Sequence, residues 1–240
     1  MITLDHVSAS EGEQTPVEDI SMTVRQGEAV ALVGANASGK SLVLRLCAGL
    51  EAPASGTVRV LGVDPARASE KELLALRQRI GFVFVKHALI SNMTVYNNVA
   101  LPLRYHTVFP EAEIRKRVLA HLVECGVDAC CDRMPAGLTF GDARQAAIAR
   151  AMVMDPDILC VDEVLIGLDA NDLFRLRKIL ERYRRERGLT VVTTINAPTS
   201  LFQVMDRLVL IRDGRLVAVY PPDESHPVVD PMAQDFWGPQ

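Results

Sequence analysis

Apolar positions along the chain follow two alternating patterns. Ala29 to Val33 reads Ala-Val-Ala-Leu-Val without a polar break, as expected of a strand buried on both faces. Ile80 to Phe84 and Ile158 to Val161 read the same way, and Thr190 to Ile195 reads as a further strand. Between these runs the period becomes helical. Ser41 to Ala48 follows the first run, Glu111 to Glu124 sets Ile114, Val118 and Leu122 on one face, Gly141 to Met154 is rich in Ala and Arg, and Ala170 to Arg187 is a further helix. Strands alternating with helices predict an α/β fold with a mostly parallel sheet and ligands at the strand C-termini. Near the amino terminus, Ile2 to Ser8 and Ser21 to Arg25 read as strands joined by a polar turn containing Gly12 and Pro16, and Thr57 to Val60 follows the turn Pro53-Ala54-Ser55-Gly56. The helical stretch from Thr94 to Met154 is the candidate for an inserted lobe. The predicted organisation is one domain over 1–240, with a helical subdomain at about 86–155 and a tail at about 221–240.

Composition narrows the class. Hydrophobic residues make up 49% of the 240, ample for a core, and no run approaches the ~18 continuous apolar residues of a membrane span. No signal peptide precedes the first strand, so a cytoplasmic chain is expected, peripheral on the inner face of the cell membrane where a partner holds it there. A net charge of −4 argues against non-specific nucleic-acid binding. Arg182 to Arg187 is interrupted by Glu186 and reads as a solvated helix end. Cys47, Cys125, Cys130, Cys131 and Cys160 lack zinc-ligand spacing and read as reduced thiols, with Cys160 a small core residue. His6, His106, His121 and His226 lack ligand spacing too, and are expected at surface or partly buried positions.

The chemistry concentrates after the first buried run. Gly34-Ala35-Asn36-Ala37-Ser38-Gly39-Lys40-Ser41 fulfils the phosphate-binding pattern Gly, four free positions, Gly-Lys-Ser/Thr. Bare backbone N–H groups wrap a phosphate that side chains would crowd, and the following helix turns its N-terminus to the anion. Lys40 would reach the β- and γ-phosphates of a nucleotide, and the Ser41 hydroxyl would ligate Mg²⁺. Far downstream, the strand Ile158 to Val161 ends at Asp162-Glu163. There Asp162 can hold Mg²⁺ through water and Glu163 can polarise the attacking water.

Taken in order, Gly34 to Ser41, Ile80 to Val99, Leu138 to Met154, Ile158 to Glu163, Gly167-Leu168-Asp169 and Thr190 to Asn196 resemble the ATP-binding subunit of ABC transporters over nearly the whole chain. That resemblance implies a P-loop NTPase of ABC type, with a mostly parallel core, an antiparallel β subdomain and an inserted helical subdomain. It further implies ATP and Mg²⁺ as ligands and a second ABC ATPase subunit, identical or paralogous. Each ATP would lie between one chain's P-loop and the other's signature segment, here Thr139 and Gly141. Membrane-spanning permease subunits would dock on the helical lobe.

Several positions depart from the family pattern. Val85 stands where a Gln is usual and can neither ligate Mg²⁺ nor orient water, while the signature reads Leu138-Thr139-Phe140-Gly141-Asp142. Phe140 brings a ring to the phosphate approach, and Asp142 adds negative charge near a polyanion. Asn196 occupies the switch-histidine position, where an amide still donates a hydrogen bond but carries no proton. Val164 replaces a Pro, and Ser8 to Thr15 holds no aromatic ring for adenine. Asp169 is retained, and His87 is a candidate to stand in for a lost polar group. The expectation is ATP binding with weak or partner-dependent hydrolysis, or a non-hydrolysing regulatory subunit. Ala88 to Val95 with Asn98 to Leu103, and the tail from Asp230 to Gly238, are similar to the Mla/Mce type, which implies phospholipid transport.

Overall fold

The computed structural model describes residues 1–10 and 17–220, so Gly12, Pro16, His226 and the Asp230–Gly238 tail lie outside the described residues. In chain order the elements are β1 (Ile2–Ala9), β2 (Val17–Val24), β3 (Ala29–Val33), α1 (Lys40–Cys47), β4 (Ser55–Val60), α2 (Glu70–Gln78), β5 (Ile80–Val83), α3 (Val95–His106) and α4 (Glu111–Cys125). There follow α5 (Phe140–Met152), β6 (Ile158–Val161), α6 (Ala170–Arg187), β7 (Thr190–Ile195), β8 (Arg207–Arg212) and β9 (Arg215–Tyr220). The unbroken apolar runs form the middle of a sheet ordered β5-β6-β7-β3-β8-β9. Its strands are parallel from β5 to β8, and β9 returns antiparallel. An antiparallel sheet β2-β1-β4 packs separately.

The central runs carry no charged position because both faces of their sheet are covered, and the hydroxyls of Thr190, Thr193 and Thr194 on β7 are buried with hydrogen-bond partners. Along β3, Ala29, Ala31 and Val33 enter a core shared with α3 to α6, whereas Val30 and Leu32 enter the core of α1 and the three-stranded sheet. The two-residue strand period thus sends one segment into two cores.

Some elements differ from what the pattern predicted. β2 begins at Val17 rather than Ser21, and α5 spans Phe140–Met152 rather than reaching Met154. α2 is set by a capping box between Ser69 and Glu72. β8 and β9 meet at Asp213-Gly214, with φ of 48° and 73°, which suits the Asp-Gly hairpin turn. In α3 the buried Asn98 accepts from Ile90 N at 2.7 Å and donates to the carbonyls of Ile90, Met93 and Thr94, each at 3.1 Å. Asn98 therefore staples the loop that enters the helical segment.

Histidine placement is mixed. His6 is exposed and paired with Asp19 at 2.7 Å, and His106 is exposed. His121 is buried, contrary to expectation, because Tyr183 Oη lies 3.1 Å from its Nε2 and the Arg117 carbonyl 2.9 Å from its Nδ1. Cys160 is wholly buried as expected, and burial raises its thiol pKa well above the ordinary value.

Candidate functional site

Strand register lines up the site. Val83 pairs with Val161, Val161 with Thr193, and Val33 with Ile195. The residues just beyond these positions, on β5, β6, β7 and β3, therefore share one edge: Val85, Asp162 and Glu163, Asn196, and the loop from Gly34.

The loop is shaped by close backbone approaches. Gly34 has φ 147°, and a Cβ there would lie 2.2 Å from the Ile211 carbonyl oxygen. Gly39, at φ 98°, caps α1 and would bring a Cβ to 3.3 Å from Gly214 Cα. Gly214 N donates to the Ser38 carbonyl at 3.0 Å, so the β8–β9 turn braces the loop from behind. Ala37 takes φ 61°, a left-handed conformation disfavoured for a residue with a Cβ.

Its polar side chains face one another. The buried Lys40 donates through Nζ to the Ala35 carbonyl at 2.5 Å and to Ser38 Oγ at 3.3 Å. Burial lowers the Lys40 pKa, while Glu163 and Asp162 oppose that shift. Asp162 Oδ1 accepts from Ser41 Oγ at 2.8 Å and from Thr194 Oγ1 at 2.7 Å, and Glu163 N donates to Thr194 Oγ1 at 2.6 Å. Glu163 itself has φ 47°. One hydroxyl and one carboxylate oxygen side by side are hard donors that suit Mg²⁺, which commonly completes its shell with substrate phosphates and water. No cluster of three or more His, Cys, Asp or Glu suited to a metal occurs among the described residues. Asn196 Nδ2 donates to Asn36 Oδ1 at 3.3 Å, joining the end of β7 to the loop.

The signature segment lies elsewhere. Thr139 caps α5: its Oγ1 accepts from Asp142 N at 3.1 Å and donates to Asp142 Oδ2 at 2.8 Å. Asp142 is thus a first-turn acid favoured by the helix dipole. A Cβ on Gly141 would lie 2.8 Å from the Gly167 carbonyl oxygen, and one on Gly167 only 2.1 Å from Phe140 Cδ1. Phe140 packs on Gly167 and, edge to face at 4.2 Å, on the His87 ring. His87 therefore turns to Phe140, and neither ring nitrogen has a hydrogen-bond partner among the described residues. Asp169 caps α6, accepting from Asp172 N at 2.8 Å.

The structure gathers loop 34–41, Asp162, Glu163 and Asn196 at one edge. Among the described residues, no hydrogen bond links Thr139 or Gly141 to that loop. Two residues were missed by sequence reasoning. Thr194 is one of three threonines in the uncharged run of β7, a signal that was available. Arg144, wholly buried on α5, became evident only from the fold.

A buried parallel sheet whose strand edge carries a glycine-braced phosphate loop, a lysine and a hydroxyl–carboxylate pair defines a P-loop nucleotide-binding protein. The family described as ABC transporter matches residues 17–165, and the chain belongs to that family as an ATP-binding domain. It is 39% identical over 203 residues to the methionine import ATP-binding protein MetN 2 of Paraburkholderia xenovorans, covering 85% of this chain and 52% of that one. The chain thus spans about half the length of that relative. It is 30% identical over 218 residues to the intermembrane phospholipid transport system ATP-binding protein MlaF of Haemophilus influenzae, covering 91% of this chain and 83% of that one. Its fold matches the dimeric ATP-binding cassette MJ0796, in a post-hydrolysis state bound to ADP and Pi, with a TM-score of 0.86 and 27% identity over 93% of this chain and all of that one. No helix among the described residues is long and apolar enough to cross a membrane.

Proposed function

We propose that this chain is the nucleotide-binding subunit of an ABC transporter, that it holds Mg-ATP on its own P-loop, and that it hydrolyses it slowly. The carrying observation is the chain of hydrogen bonds from Ser41 through Asp162 and Thr194 to Glu163. The backbone of Gly34 to Gly39 would cradle the phosphates, and Lys40 would exchange the Ala35 carbonyl for a phosphate oxygen. Ser41 and Asp162 would hold Mg²⁺, whose role is to neutralise charge on the phosphates. Glu163 would orient and deprotonate the attacking water.

Slow turnover follows from the neighbours of Glu163. Val85 supplies no donor or ligand, and Asn196 supplies an amide rather than an imidazole. A second copy or a paralogue would close over the nucleotide with its own Thr139 and Gly141, a reading supported by the dimeric state of the cassette matched above. Exposed Tyr105, Val108 and Phe109, close in sequence at the α3–α4 connection, would offer apolar side chains to a membrane-spanning partner. The domain boundaries, with a helical subdomain near 86–155, form part of the same proposal.

For cargo, the relatives include methionine and sulfate importers as well as MlaF. Phospholipid is our proposal, supported by the likeness to MlaF and by the run from Ala88 to Leu103. Val85 and Asn196 also favour a second reading, a regulatory subunit that binds ATP without hydrolysing it.

The test is co-purification with the membrane subunits, followed by ATP affinity and steady-state hydrolysis for the parent and for Glu163→Gln. Micromolar to submillimolar affinity with weak, Glu163-dependent turnover is expected, in the range common among enzymes. Turnover indifferent to Glu163→Gln defeats the catalytic assignment, and binding without any turnover selects the regulatory reading. Stimulation by phospholipid vesicles, and not by methionine or sulfate, is the expected sign of cargo.

A further inference from the structure

Arg144 is fully buried, and among the described residues no carboxylate side chain receives its hydrogen bonds. Instead, Nη1 donates to the Phe84 carbonyl at 2.7 Å, and Nη2 donates to the carbonyls of Asp162 and of Glu163, the latter at 3.0 Å. Nε has no partner among the described residues. Burial lowers the Arg144 pKa to about 10 even though Asp162 and Glu163 oppose the shift. Burying a charge in this way is costly, and for fold stability alone an apolar side chain of similar volume often does as well.

The carbonyls that Arg144 holds are not arbitrary. Phe84 immediately precedes Val85, and Asp162 and Glu163 are the carboxylates at the end of β6. Two of these carbonyls have other donors, His87 N for Phe84 and Ile166 N for Glu163. Arg144 also sits one turn after Phe140 on α5, whose first residues pack on Gly167 and His87. One rigid helix therefore carries the signature segment at its tip and, a turn later, a forked donor on the ends of β5 and β6.

We propose that Arg144 is a positioning residue for hydrolysis, tying the ends of β5 and β6 to α5 so that the placement of Glu163 follows the placement of the signature segment. This rests on the reading of Glu163 as the group that activates water. A planar guanidinium suits the task because its fork reaches carbonyls on two strands at once, which the single ammonium of Lys cannot do. The Glu163 backbone, at φ 47°, gains from an external tether because its conformation is unfavourable on its own.

The test uses the full chain with its membrane subunits and the variants Arg144→Gln and Arg144→Lys, reading kcat, ATP affinity, thermal midpoint and amide exchange. For Arg144→Gln, kcat falls about 10–100-fold, the range typical of supporting contacts to reactive groups, with ATP affinity within about threefold. Amide exchange quickens locally at 83–86 and 162–166, and Arg144→Lys falls between Gln and parent. Unchanged kcat with unchanged exchange overturns the proposal. So does a joint loss of kcat, affinity and thermal midpoint with exchange quickened evenly along the chain, which marks a purely structural role. If the parent shows no Glu163-dependent turnover, the functional reading fails and exchange alone decides this one: a local rise upholds it, and an even rise or none overturns it.

Discussion

The P-loop and the signature segment both present a helix N-terminus, yet the two are finished differently. At the P-loop, Lys40, Ser41, Asp162 and Thr194 converge on one another and on backbone carbonyls, leaving a polar cradle ready to exchange those contacts for phosphate and Mg²⁺. At the signature, Thr139 and Asp142 satisfy each other, and the Phe140 ring covers Gly167. Under the proposed function, one end would receive an anion that the chain holds itself. The other has its capping hydroxyl engaged by an acid, which opposes an anion arriving from a partner. On the same reading, the difference separates binding, which the chain would organise alone, from closure and hydrolysis, which would draw on the altered positions Val85, Phe140, Asp142 and Asn196.

The largest expected effect breaks the P-loop side. Glu163→Gln should reduce residual ATP turnover by at least ~100-fold, as for loss of a general base, while ATP titration shows affinity nearly unchanged. Lys40→Ala should weaken ATP binding by roughly 10–100-fold, from losing charge-assisted hydrogen bonds of about 1.5–3 kcal/mol, read by fluorescent-nucleotide titration. Work on the signature side should move the system the other way. Phe140→Gly should raise nucleotide-dependent dimerisation and turnover about tenfold, the equivalent of one regained hydrogen bond, measured by sizing with ATP in the Glu163→Gln background and by steady-state assay without it. The smallest effect lies within the loop itself: Ala37→Gly should stabilise the chain by about 0.5–1 kcal/mol by relieving a Cβ at φ 61°, seen as a higher thermal midpoint.

What the sequence made legible follows from how local each rule is. The P-loop was readable because its glycines, lysine and hydroxyl act within a single turn, and Asp162-Glu163 because a buried strand has to end somewhere polar. The central strands were readable because burial on both faces removes every charged position, leaving only the buried threonines of β7 among otherwise apolar side chains. The β8–β9 hairpin was missed although Asp213-Gly214 carries the turn chemistry, since Arg207 and Arg212 bracket the apolar run and disguise it as surface. Arg144 was illegible for a different reason. Its partners are carbonyls from two other strands, and backbone acceptors leave no trace in side-chain spacing. His121 was misjudged similarly, because its partner Tyr183 lies on a different helix.

Under the proposed function, the phosphate cradle is intact while the groups facing the γ-phosphate limit turnover. Steady-state hydrolysis and ATP affinity of the double variant Val85→Gln, Asn196→His test it most directly. A rise in kcat on the order of 100-fold is expected, the scale of one recovered transition-state donor, with ATP affinity within about threefold of the parent. An unchanged kcat in a folded, ATP-binding double variant would contradict it.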